Sequence, residues 1–231
     1  MPGFRRILER FHISYMSHPY RVNNRSGESE FLDDFDFLNG RFIEIGGFDG
    51  FLNSPSYFLE KFRFWTGLLI EPDPFFFKKC KRNRLESFVI QGACVSRDFP
   101  AAEIEFSHTG HSASPVDNLF SEFPNTSEGH GVTVSCKTLD NYLLGFPEFL
   151  DSHGLDLLIL DVEGYELEVL KGFNLKKYSP KVIVVESHSA EHLSQLVDHL
   201  KANNYFFIKK YSQIDYAFAI RVGSRSLEQL N

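Results

Sequence analysis

The chain has 231 residues, of which 42% are apolar and 15% aromatic, so it is long enough for one well-packed domain and short for two. A net charge of −7 argues against nucleic acid as the main partner. The three cysteines, Cys80, Cys94 and Cys136, are too far apart for a paired-cysteine zinc site or a disulfide framework, and we therefore expect a reducing, cytoplasmic location. No apolar run approaches the roughly 20 residues of a membrane-spanning helix.

Three segments are predicted: an N-terminal helix and linker at 1–39, a main domain at 40–223 and a tail at 224–231. Apolar residues alternate with arginines between residues 4 and 16, which predicts an amphipathic helix. We expect this helix to pack on the main domain; binding to a membrane surface or targeting to an organelle is the alternative.

The main domain opens with a predicted buried strand and a glycine-rich turn in FIEIGGFDG, residues 42–50. Gly46, Gly47 and Gly50 leave room for a ligand to approach main-chain N–H groups, because glycine has no Cβ. The spacing is not the GxGxxG of dinucleotide-binding proteins. Glu44 lies just before these glycines, where a carboxylate repels phosphate groups and suits a cationic ligand.

A helix is predicted next, with a cap at Asn53 or Ser54, Pro55 at its first position and residues 56–64 after it. A strand at 67–70 that ends on Glu71 is predicted to follow. Glu71 follows the last glycine of the turn by 21 residues, about the offset at which α/β nucleotide-binding folds place a carboxylate against ribose hydroxyls. Together with the acid before the glycines, this pattern indicates S-adenosylmethionine as the cofactor rather than a nicotinamide dinucleotide. The alternative is purely structural: the first acid caps or solvates the turn and the second ends a strand.

After this strand, Asp73 is predicted to cap a helix that ends near Arg84. The lysines of this helix indicate a solvated face, with a phosphate-binding patch as the alternative. A third buried strand is predicted at 88–93, and its Gln91, Gly92 and Ala93 occupy positions that commonly contact the adenine edge in folds of this type.

The least apolar part of the chain, residues 107–131, lies between predicted strands at 103–106 and 132–136. Its serines, glycines and asparagines predict a long loop, and long loops in compact domains are commonly lids or binding loops. We expect a lid over the substrate. The histidines of this loop are too sparse for the usual zinc clusters, so we expect no metal at them: His108, His111 and His130.

The second group of candidate site residues lies in LDLLILDVEGYELEVLKGF, residues 155–173. Residues 155–160 predict a parallel strand covered on both faces, which delivers Asp161 to the edge of the sheet where α/β folds bind ligands. Asp161 and Glu163 are therefore candidates to face a methyl donor. The alternative for Glu163 and Glu166 is a place in the first turn of the next helix, where the helix dipole favours negative charge.

A strand at 181–185 is predicted to bring Glu186 and His188 to the same edge. With Asp161 and Glu163 they would form an acidic pocket that contains one imidazole. Such a pocket suits a general base for a hydroxyl group, which we favour, or an oxygen-ligated divalent cation such as Mg²⁺.

The chain is predicted to end with a helix at 190–203 and an antiparallel pair of strands at 205–208 and 216–220. In combination, the motifs FIEIGGFDG, LIEPDP, KTLDNYL, DVEGYELEVLKG and SPKVIVVES resemble the FkbM family of S-adenosylmethionine-dependent methyltransferases over residues 40–222. The resemblance implies an α/β, class I methyltransferase Rossmann-like fold, with a mostly parallel seven-stranded sheet, a C-terminal antiparallel hairpin and helices on both faces. It also implies methyl transfer, usually to a hydroxyl oxygen of a natural product or sugar.

Carried onto this sequence, the resemblance implies that Glu44, Gly46 and Gly50 bind the donor and that Glu71 binds its ribose. The full set of expected donor-binding residues is Glu44, Gly46, Gly47, Gly50, Glu71, Pro72, Gly92, Ala93 and Asp161. The expected catalytic residues, one of which removes the hydroxyl proton, are Asp161, Glu163 and His188. The alternatives are a binding module without catalysis and a methyltransferase of RNA or protein amines; the net charge and the lack of an Asn-Pro-Pro-aromatic motif disfavour the second.

Overall fold

The computed structural model describes most of the chain between residues 31 and 220. The described residues are 31, 33–52, 54–109, 112–115, 132–147, 149 and 154–220. The predicted amphipathic helix, the tail, most of the predicted lid, and the residues Asn53, His111 and His130 lie outside them. Within this part of the chain, no helix is both long enough and apolar enough to cross a bilayer.

The described strands form two sheets. They are β1 (Arg41–Ile45), β2 (Thr66–Glu71), β3 (Phe88–Gln91), β4 (Ala93–Cys94), β5 (Glu103–Thr109), β6 (Ser112–Pro115), β7 (Val132–Lys137), β8 (Leu157–Leu160), β9 (Val182–Glu186), β10 (Tyr205–Lys210) and β11 (Asp215–Ile220). The described helices are α1 (Ser56–Arg63), α2 (Pro74–Asn83), α3 (Leu139–Leu143), α4 (Glu166–Lys171), α5 (Leu175–Tyr178) and α6 (Ala190–Ala202).

The seven-stranded main sheet has the order β3-β2-β1-β8-β9-β11-β10. Strands β1, β2, β3, β8 and β9 are parallel to one another, and β11 runs antiparallel to both β9 and β10. This confirms the predicted fold. The chain enters the sheet at β1, builds outward to β3 and then crosses back to β8 on the other side of β1. The strand order therefore reverses beside β1, which is where open α/β sheets bind ligands.

Apolar side chains of the central strands alternate between two layers, because successive residues of a strand point to opposite faces. One layer contains Ile43 and Leu68 and packs against α3, α4, α5 and α6; the other contains Phe42 and Leu69 and packs against α1 and α2. The central strands are thus buried on both faces by helices, which explains their nearly continuous apolar sequences.

The predicted strand at 88–93 was wrong, because this segment forms two strands in different sheets. β3 ends at Gln91, whereas β4 starts at Ala93 and belongs to the smaller sheet, whose order is β4-β7-β5-β6. The chain leaves the main sheet at Gly92, where a Cβ would collide with the hydroxyl group of Tyr142. The break was hidden in the sequence because apolar residues stand on both sides of it.

Part of the predicted loop at 107–131 is a β-hairpin, so the prediction was wrong for this part. β5 continues to Thr109 and pairs in antiparallel register with β6. Main-chain groups hold this pairing, and every residue except proline supplies a donor and an acceptor, so the polar composition did not reveal it. The lid over the substrate stays a prediction, since residues 116–131 lie outside the described part of the chain.

The prediction that Ser54 caps α1 was also wrong. Pro55 occupies the capping position without a side-chain hydrogen bond, and the Ser54 hydroxyl instead donates to Oε2 of Glu44 at 2.9 Å. Proline is suited to a helix start because its φ angle is already helical. Ser54 is therefore committed to a carboxylate of the neighbouring strand rather than to the helix.

A buried ionic network around Arg84 joins α1, α2 and β1. Nε of Arg84 lies 3.2 Å from Oε2 of Glu60, and Nη2 lies 3.7 Å from Oε2 of Glu44. Nη2 also donates a hydrogen bond to the Ser56 hydroxyl. A guanidinium group has five N–H donors in one plane, so it can serve two carboxylates at once. Nothing in the local sequence marks Arg84 as buried, because it follows a run of basic residues on an exposed helix face.

Replacement of Arg84 by methionine is expected to lower the free energy of unfolding by about 3–5 kcal/mol, because it leaves Glu44 buried without its counter-charge and removes one of the two cations beside Glu60. Urea denaturation measures this change. The matched control is Arg82→Met, since Arg82 is exposed on the same helix and its loss should change stability by less than about 0.5 kcal/mol. Equal stability of the two variants would show that the network does not hold these elements together.

Candidate active site

The glycine turn after β1 is in direct contact with the turn after β8. Gly46 has a φ angle of +89°, and a Cβ at this position would collide with the carbonyl oxygen of Asp161. The N–H group of Gly46 donates to the carbonyl oxygen of Ile70 at 3.0 Å, and that of Asp161 donates to Ile45 at 3.0 Å. The ends of β1, β2 and β8 are therefore joined at one point, which only glycine can occupy.

The rest of the turn packs against β2 and α2. A Cβ on Gly47 would lie 3.2 Å from a methyl group of Leu69, and one on Gly50, where φ is +74°, would lie 2.9 Å from Sγ of Cys80. Asp49 was not among the predicted site residues. Its Oδ1 accepts hydrogen bonds from the N–H groups of Phe51 and Leu52, at 2.9 and 2.7 Å. An aspartate before glycine commonly makes such a turn, so a local signal was present.

Glu71 closes the other side of the turn. Its carboxylate is buried, with Oε2 accepting the N–H of Phe48 at 2.8 Å and Oε1 accepting the N–H of Asp73 at 2.9 Å. Burial raises the pKa of Glu71 to about 8, although these two hydrogen bonds act in the opposite direction, and the negative charges of Asp73 and Asp161 raise it further. The predicted ribose acid therefore lies at the tip of β2, within the electrostatic reach of Asp161.

Glu44 has protein partners in the interior. Its Oε2 accepts hydrogen bonds from the hydroxyl groups of Ser54 and Ser56 and lies 3.7 Å from Nη2 of Arg84. Burial raises the pKa of Glu44, against the opposing effect of Arg84. These bonds join Glu44 of β1 to the residues at the start of α1, and contact of its carboxylate with a cationic ligand stays a prediction.

The predicted adenine-contacting residues lie next to Glu71. The N–H of Gly92 donates to the main-chain oxygen of Glu71 at 3.2 Å, and Ala93 follows as a buried residue of β4. Pro72 lies half-buried between Glu71 and Asp73. Asp73 caps α2, as predicted, by accepting the N–H groups of the second and third residues after it.

The turn that follows β8 carries Asp161 and Glu163. Glu163 has a φ angle of +55° and lies before α4, so the alternative that placed it in the first turn of a helix was wrong. Glu166 does lie in that turn of α4, and its Oε1 accepts the N–H groups of Val162 and Gly164 at 3.0 and 3.2 Å. A buried carboxylate therefore holds the main chain on both sides of Glu163.

Behind this turn, His192 and Ser187 lie next to Glu166, and neither was among the predicted site residues. Nε2 of His192 is 3.6 Å from Oε2 of Glu166, and Nδ1 of His192 is 3.3 Å from the hydroxyl oxygen of Ser187. Burial raises the pKa of Glu166 to about 8 and lowers that of His192. Because both charged forms are disfavoured by burial, the group is suited to holding the turn and not to exchanging protons with solvent.

Three of the four residues predicted to form an acidic pocket lie close together, and their catalytic role stays a prediction. β8 and β9 are neighbours, and Nε2 of His188 lies 3.2 Å from Oε2 of Glu186 and 3.9 Å from Oε2 of Glu163. The Glu186 side chain is only 3% exposed, whereas that of His188 is 42% exposed. Asp161, half-buried, precedes Glu163 in the same turn. The buried Glu186 and the more accessible His188 and Glu163 therefore lie together beside the point where the strand order reverses.

A sequence model described as "Methyltransferase FkbM domain" matches residues 44–209, which is more than two thirds of the chain. The chain belongs to the FkbM methyltransferase family. The matched region contains the glycine turn, Glu71, Asp161 and the Glu186–His188 pair. No curated protein matches the chain in sequence.

Solved structures agree with this membership at the level of the fold. An FkbM methyltransferase from Methylobacillus flagellatus KT has a TM-score of 0.50 and 14% identity over 78% of this chain, and this chain spans 43% of that protein. A TehB-like S-adenosylmethionine-dependent methyltransferase from Corynebacterium glutamicum ATCC 13032 Kitasato has a TM-score of 0.46 and 10% identity, covering 96% of this chain and 100% of its own. The human methyltransferase 10 domain containing protein has a TM-score of 0.48 and 11% identity, with 94% and 95% covered. The FkbM chain has the class I methyltransferase fold.

The contact at Gly46 predicts the effect of adding a side chain at this position of the FkbM turn. Gly46→Ala should lower the free energy of unfolding by at least about 3 kcal/mol, because it combines a left-handed backbone with a collision against Asp161. Gly154→Ala is the matched control, since Gly154 has a φ angle of +74° but no atom of the described residues within 4 Å of its added Cβ, so only the backbone cost of about 1–2 kcal/mol applies. Denaturant unfolding of both variants gives the difference; equal costs would refute the contact.

The raised pKa of Glu71 generates a second prediction. Between pH 4.5 and about 8, Glu71 is protonated in the folded protein and ionised in the unfolded protein. The stability that Glu71 contributes through this proton is therefore complete below pH 4.5 and is lost as the pH rises through about 8. Glu71→Gln removes the titration and should flatten the fall in stability between pH 5 and 8 by up to about 1.4 kcal/mol per pH unit. Unfolding measured across this range, with the exposed Glu86→Gln as control, tests it; an unchanged slope in Glu71→Gln would contradict it.

Proposed function

We propose that this FkbM-family chain is an S-adenosylmethionine-dependent methyltransferase whose acceptor is a hydroxyl group on a small molecule or sugar. The observation that carries the proposal is the position of Glu71, buried at the tip of β2 beside the glycine turn. Its two oxygens each accept one main-chain N–H group, from Phe48 and Asp73. A carboxylate oxygen has a second lone pair, so the two ribose hydroxyls of the donor would still find acceptors there.

The charge of the crevice supports this donor. The negative charge of Asp161 raises the pKa of Glu71, so it disfavours the ionised form of Glu71 in the unliganded protein. A ligand that carries a sulfonium and an ammonium group would favour the ionised form, whereas a dinucleotide would add negative charge beside it. The negative charge of the crevice also disfavours a phosphate-rich acceptor such as RNA.

The remaining donor contacts follow from the layout of the turn. Gly46, Gly47 and Gly50 would present main-chain groups to the methionine part of the donor, because none of them has a side chain in the way. Gly92 and Ala93 leave the main sheet beside Glu71 and would line the adenine ring together with Pro72. We assign Glu44 a supporting role, in which its bonds to Ser54 and Ser56 hold the turn in place.

The proposed reaction is a single displacement. A lone pair of the acceptor oxygen forms a bond to the methyl carbon, the carbon–sulfur bond breaks, and its electron pair stays on sulfur to give S-adenosylhomocysteine. The hydroxyl proton passes to a basic group at this edge, for which Asp161, Glu163 and His188 are the candidates. The sulfonium is already a strong electrophile, so alignment of the two reactants and exclusion of water supply most of the rate.

A cytoplasmic location is part of the proposal. The three cysteines are free thiols in the structure and all are buried, an arrangement that suits a reducing compartment. Desolvation raises the pKa of Cys80 to about 12, so its thiol is not a nucleophile at neutral pH. We therefore assign none of the methyl-transfer chemistry to it.

Donor binding is the direct test of this proposal. Glu71→Ala should weaken binding of S-adenosylhomocysteine by at least about tenfold, because it removes the acceptor of the ribose hydroxyls and unties Phe48 from β2. Asp161→Asn should bind the same ligand within about threefold of the wild type, since its main-chain contacts to Gly46 and Ile45 remain. Isothermal titration calorimetry measures both, with Glu86→Ala as an exposed control. Unchanged affinity in Glu71→Ala would overturn the donor site.

The acceptor class is tested with a donor that carries a deuterated methyl group. The wild-type protein is incubated with panels of hydroxylated small molecules, sugars, short RNA and lysine-containing peptides, and mass spectrometry locates the label. Labelled methyl ethers support the proposal. Label on RNA or on peptide amines would replace the hydroxyl acceptor, and tight donor binding with no labelled product from any panel would favour a binding module.

A further inference from the structure

We infer that Glu163, Glu186 and His188 bind a divalent cation of the Mg²⁺ or Mn²⁺ class. One ligand atom from each residue lies within 4.8 Å of the other two. Nε2 of His188 is 3.2 Å from Oε2 of Glu186 and 3.9 Å from Oε2 of Glu163. When each ligand atom lies about 2.1 Å from the ion, adjacent ligand atoms are about 3.0 Å apart in octahedral geometry and about 3.4 Å apart in tetrahedral geometry. Small side-chain movements would therefore complete the site.

The main chain holds two of the three ligands in place before any ion arrives. Glu186 ends β9, where it pairs in register with Asp215 of β11, and the next N–H group, of Ser187, donates to Ile214 at 2.8 Å. Glu163 lies in a turn whose flanking N–H groups bind the buried Oε1 of Glu166. A site in which ligands are fixed by the fold loses little conformational entropy on binding the ion.

The donor atoms indicate the kind of cation. Two carboxylates and one imidazole are mostly oxygen ligands, which Mg²⁺ and Mn²⁺ prefer, and the imidazole favours Mn²⁺ of the two. The carboxylates carry two negative charges, which a divalent ion neutralises. His188 is 42% exposed and Glu163 is 24% exposed, so the ion would keep open positions toward the crevice for water or an acceptor oxygen.

The role of the cation rests on the proposed methyl transfer. Bound to the ion, an acceptor hydroxyl would lose its proton more easily, because a divalent cation stabilises the developing negative charge on oxygen. Glu163 and His188 would then be ligands, which leaves Asp161 as the acceptor of the proton. An octahedral ion with three protein ligands has three open positions and would favour acceptors with two neighbouring oxygens, such as a vicinal diol of a sugar.

The sequence by itself favoured a base at this edge over a cation, and the ligand distances reverse that preference. A histidine that acts only as a base requires one carboxylate partner, as in the pairing of His188 with Glu186. The second carboxylate, Glu163, comes from a different strand and reaches the same nitrogen from the turn after β8. Three ligand atoms from two strands of the sheet are more than a base requires and match the usual protein contribution to a metal site with open positions.

Mn²⁺ binding to the full, metal-free chain tests this inference in the absence of any donor or acceptor. Electron paramagnetic resonance of unbound Mn²⁺ should show one binding site per chain, and His188→Ala and Glu163→Gln should each weaken it by about tenfold or more. Both side chains are partly exposed, so the variants are expected to fold, and circular dichroism checks this. Glu191→Gln and Asp198→Asn, both exposed on α6, are the controls and should bind Mn²⁺ as the wild type does.

Two results would overturn the cation site: no Mn²⁺ binding by wild-type protein at millimolar concentration, or unchanged binding in both ligand variants. These outcomes are separate from the proposed function, since S-adenosylhomocysteine binding is measured on its own. Mn²⁺ binding that depends on His188 and Glu163 would uphold the site even if Glu71→Ala left donor binding intact. Methyl transfer that survives removal of all divalent ions would reject the cation's role in the reaction while the transferase assignment stands.

Discussion

The contact between Gly46 and the carbonyl oxygen of Asp161 is the constraint on which the rest of the site depends. β1 lies between β2 and β8, so the turns that follow these strands must share the space above one strand end. A side chain at Gly46 would separate them. Because this residue has none, the N–H of Gly46 reaches β2, the N–H of Asp161 reaches β1, and Glu71 binds the middle of the glycine turn at Phe48. The crevice is therefore built by main-chain contacts.

The acids of this region resemble one another in sequence and differ in their surroundings. Glu44 is surrounded by Arg84 and two hydroxyl groups, and Glu71 and Glu166 each accept two main-chain N–H groups. Glu186 instead faces an imidazole. Burial of a carboxylate is unfavourable unless it is hydrogen-bonded or paired, so each environment assigns a different role. Acids with several main-chain bonds hold turns, to which the proposed function adds ribose binding for Glu71, and it is the pair that meets His188 to which we assign the proposed chemistry.

In the proposed reaction, the exposure of the side chains separates a donor side from an acceptor side. Glu71 is 5% exposed and is fixed by hydrogen bonds at both oxygens, whereas His188 and Glu163 remain accessible at the neighbouring strand ends. A rigid, buried pocket suits a cofactor that is the same in every turnover, because it requires no rearrangement on binding. An accessible group of ligands suits acceptors that vary within a family such as FkbM. The proposed cation would bring acceptors of different shape to the same point through their oxygens.

The sequence by itself determined the parts of this protein that depend on neighbours along the chain. Apolar runs predicted the central strands, glycines predicted the turn, and Asp73 predicted a helix cap, because strand burial, positive φ angles and capping are properties of a few adjacent residues. The spacing from the turn to Glu71 also predicted the carboxylate at the tip of β2.

The sequence predicted that acids and one imidazole gather at the edge of the sheet, but only the tertiary structure decided which side chains come within contact distance. Arg84 follows α2 in the chain but is buried against α1 and β1, and nothing in its local sequence distinguishes it from the exposed basic residues before it. Glu163 and Glu186 are 23 residues apart, and their approach to one imidazole depends on the pairing of β8 with β9 and on a left-handed turn. Side-chain distances of this kind follow from how strands and turns pack in three dimensions, and local sequence patterns contain no record of them.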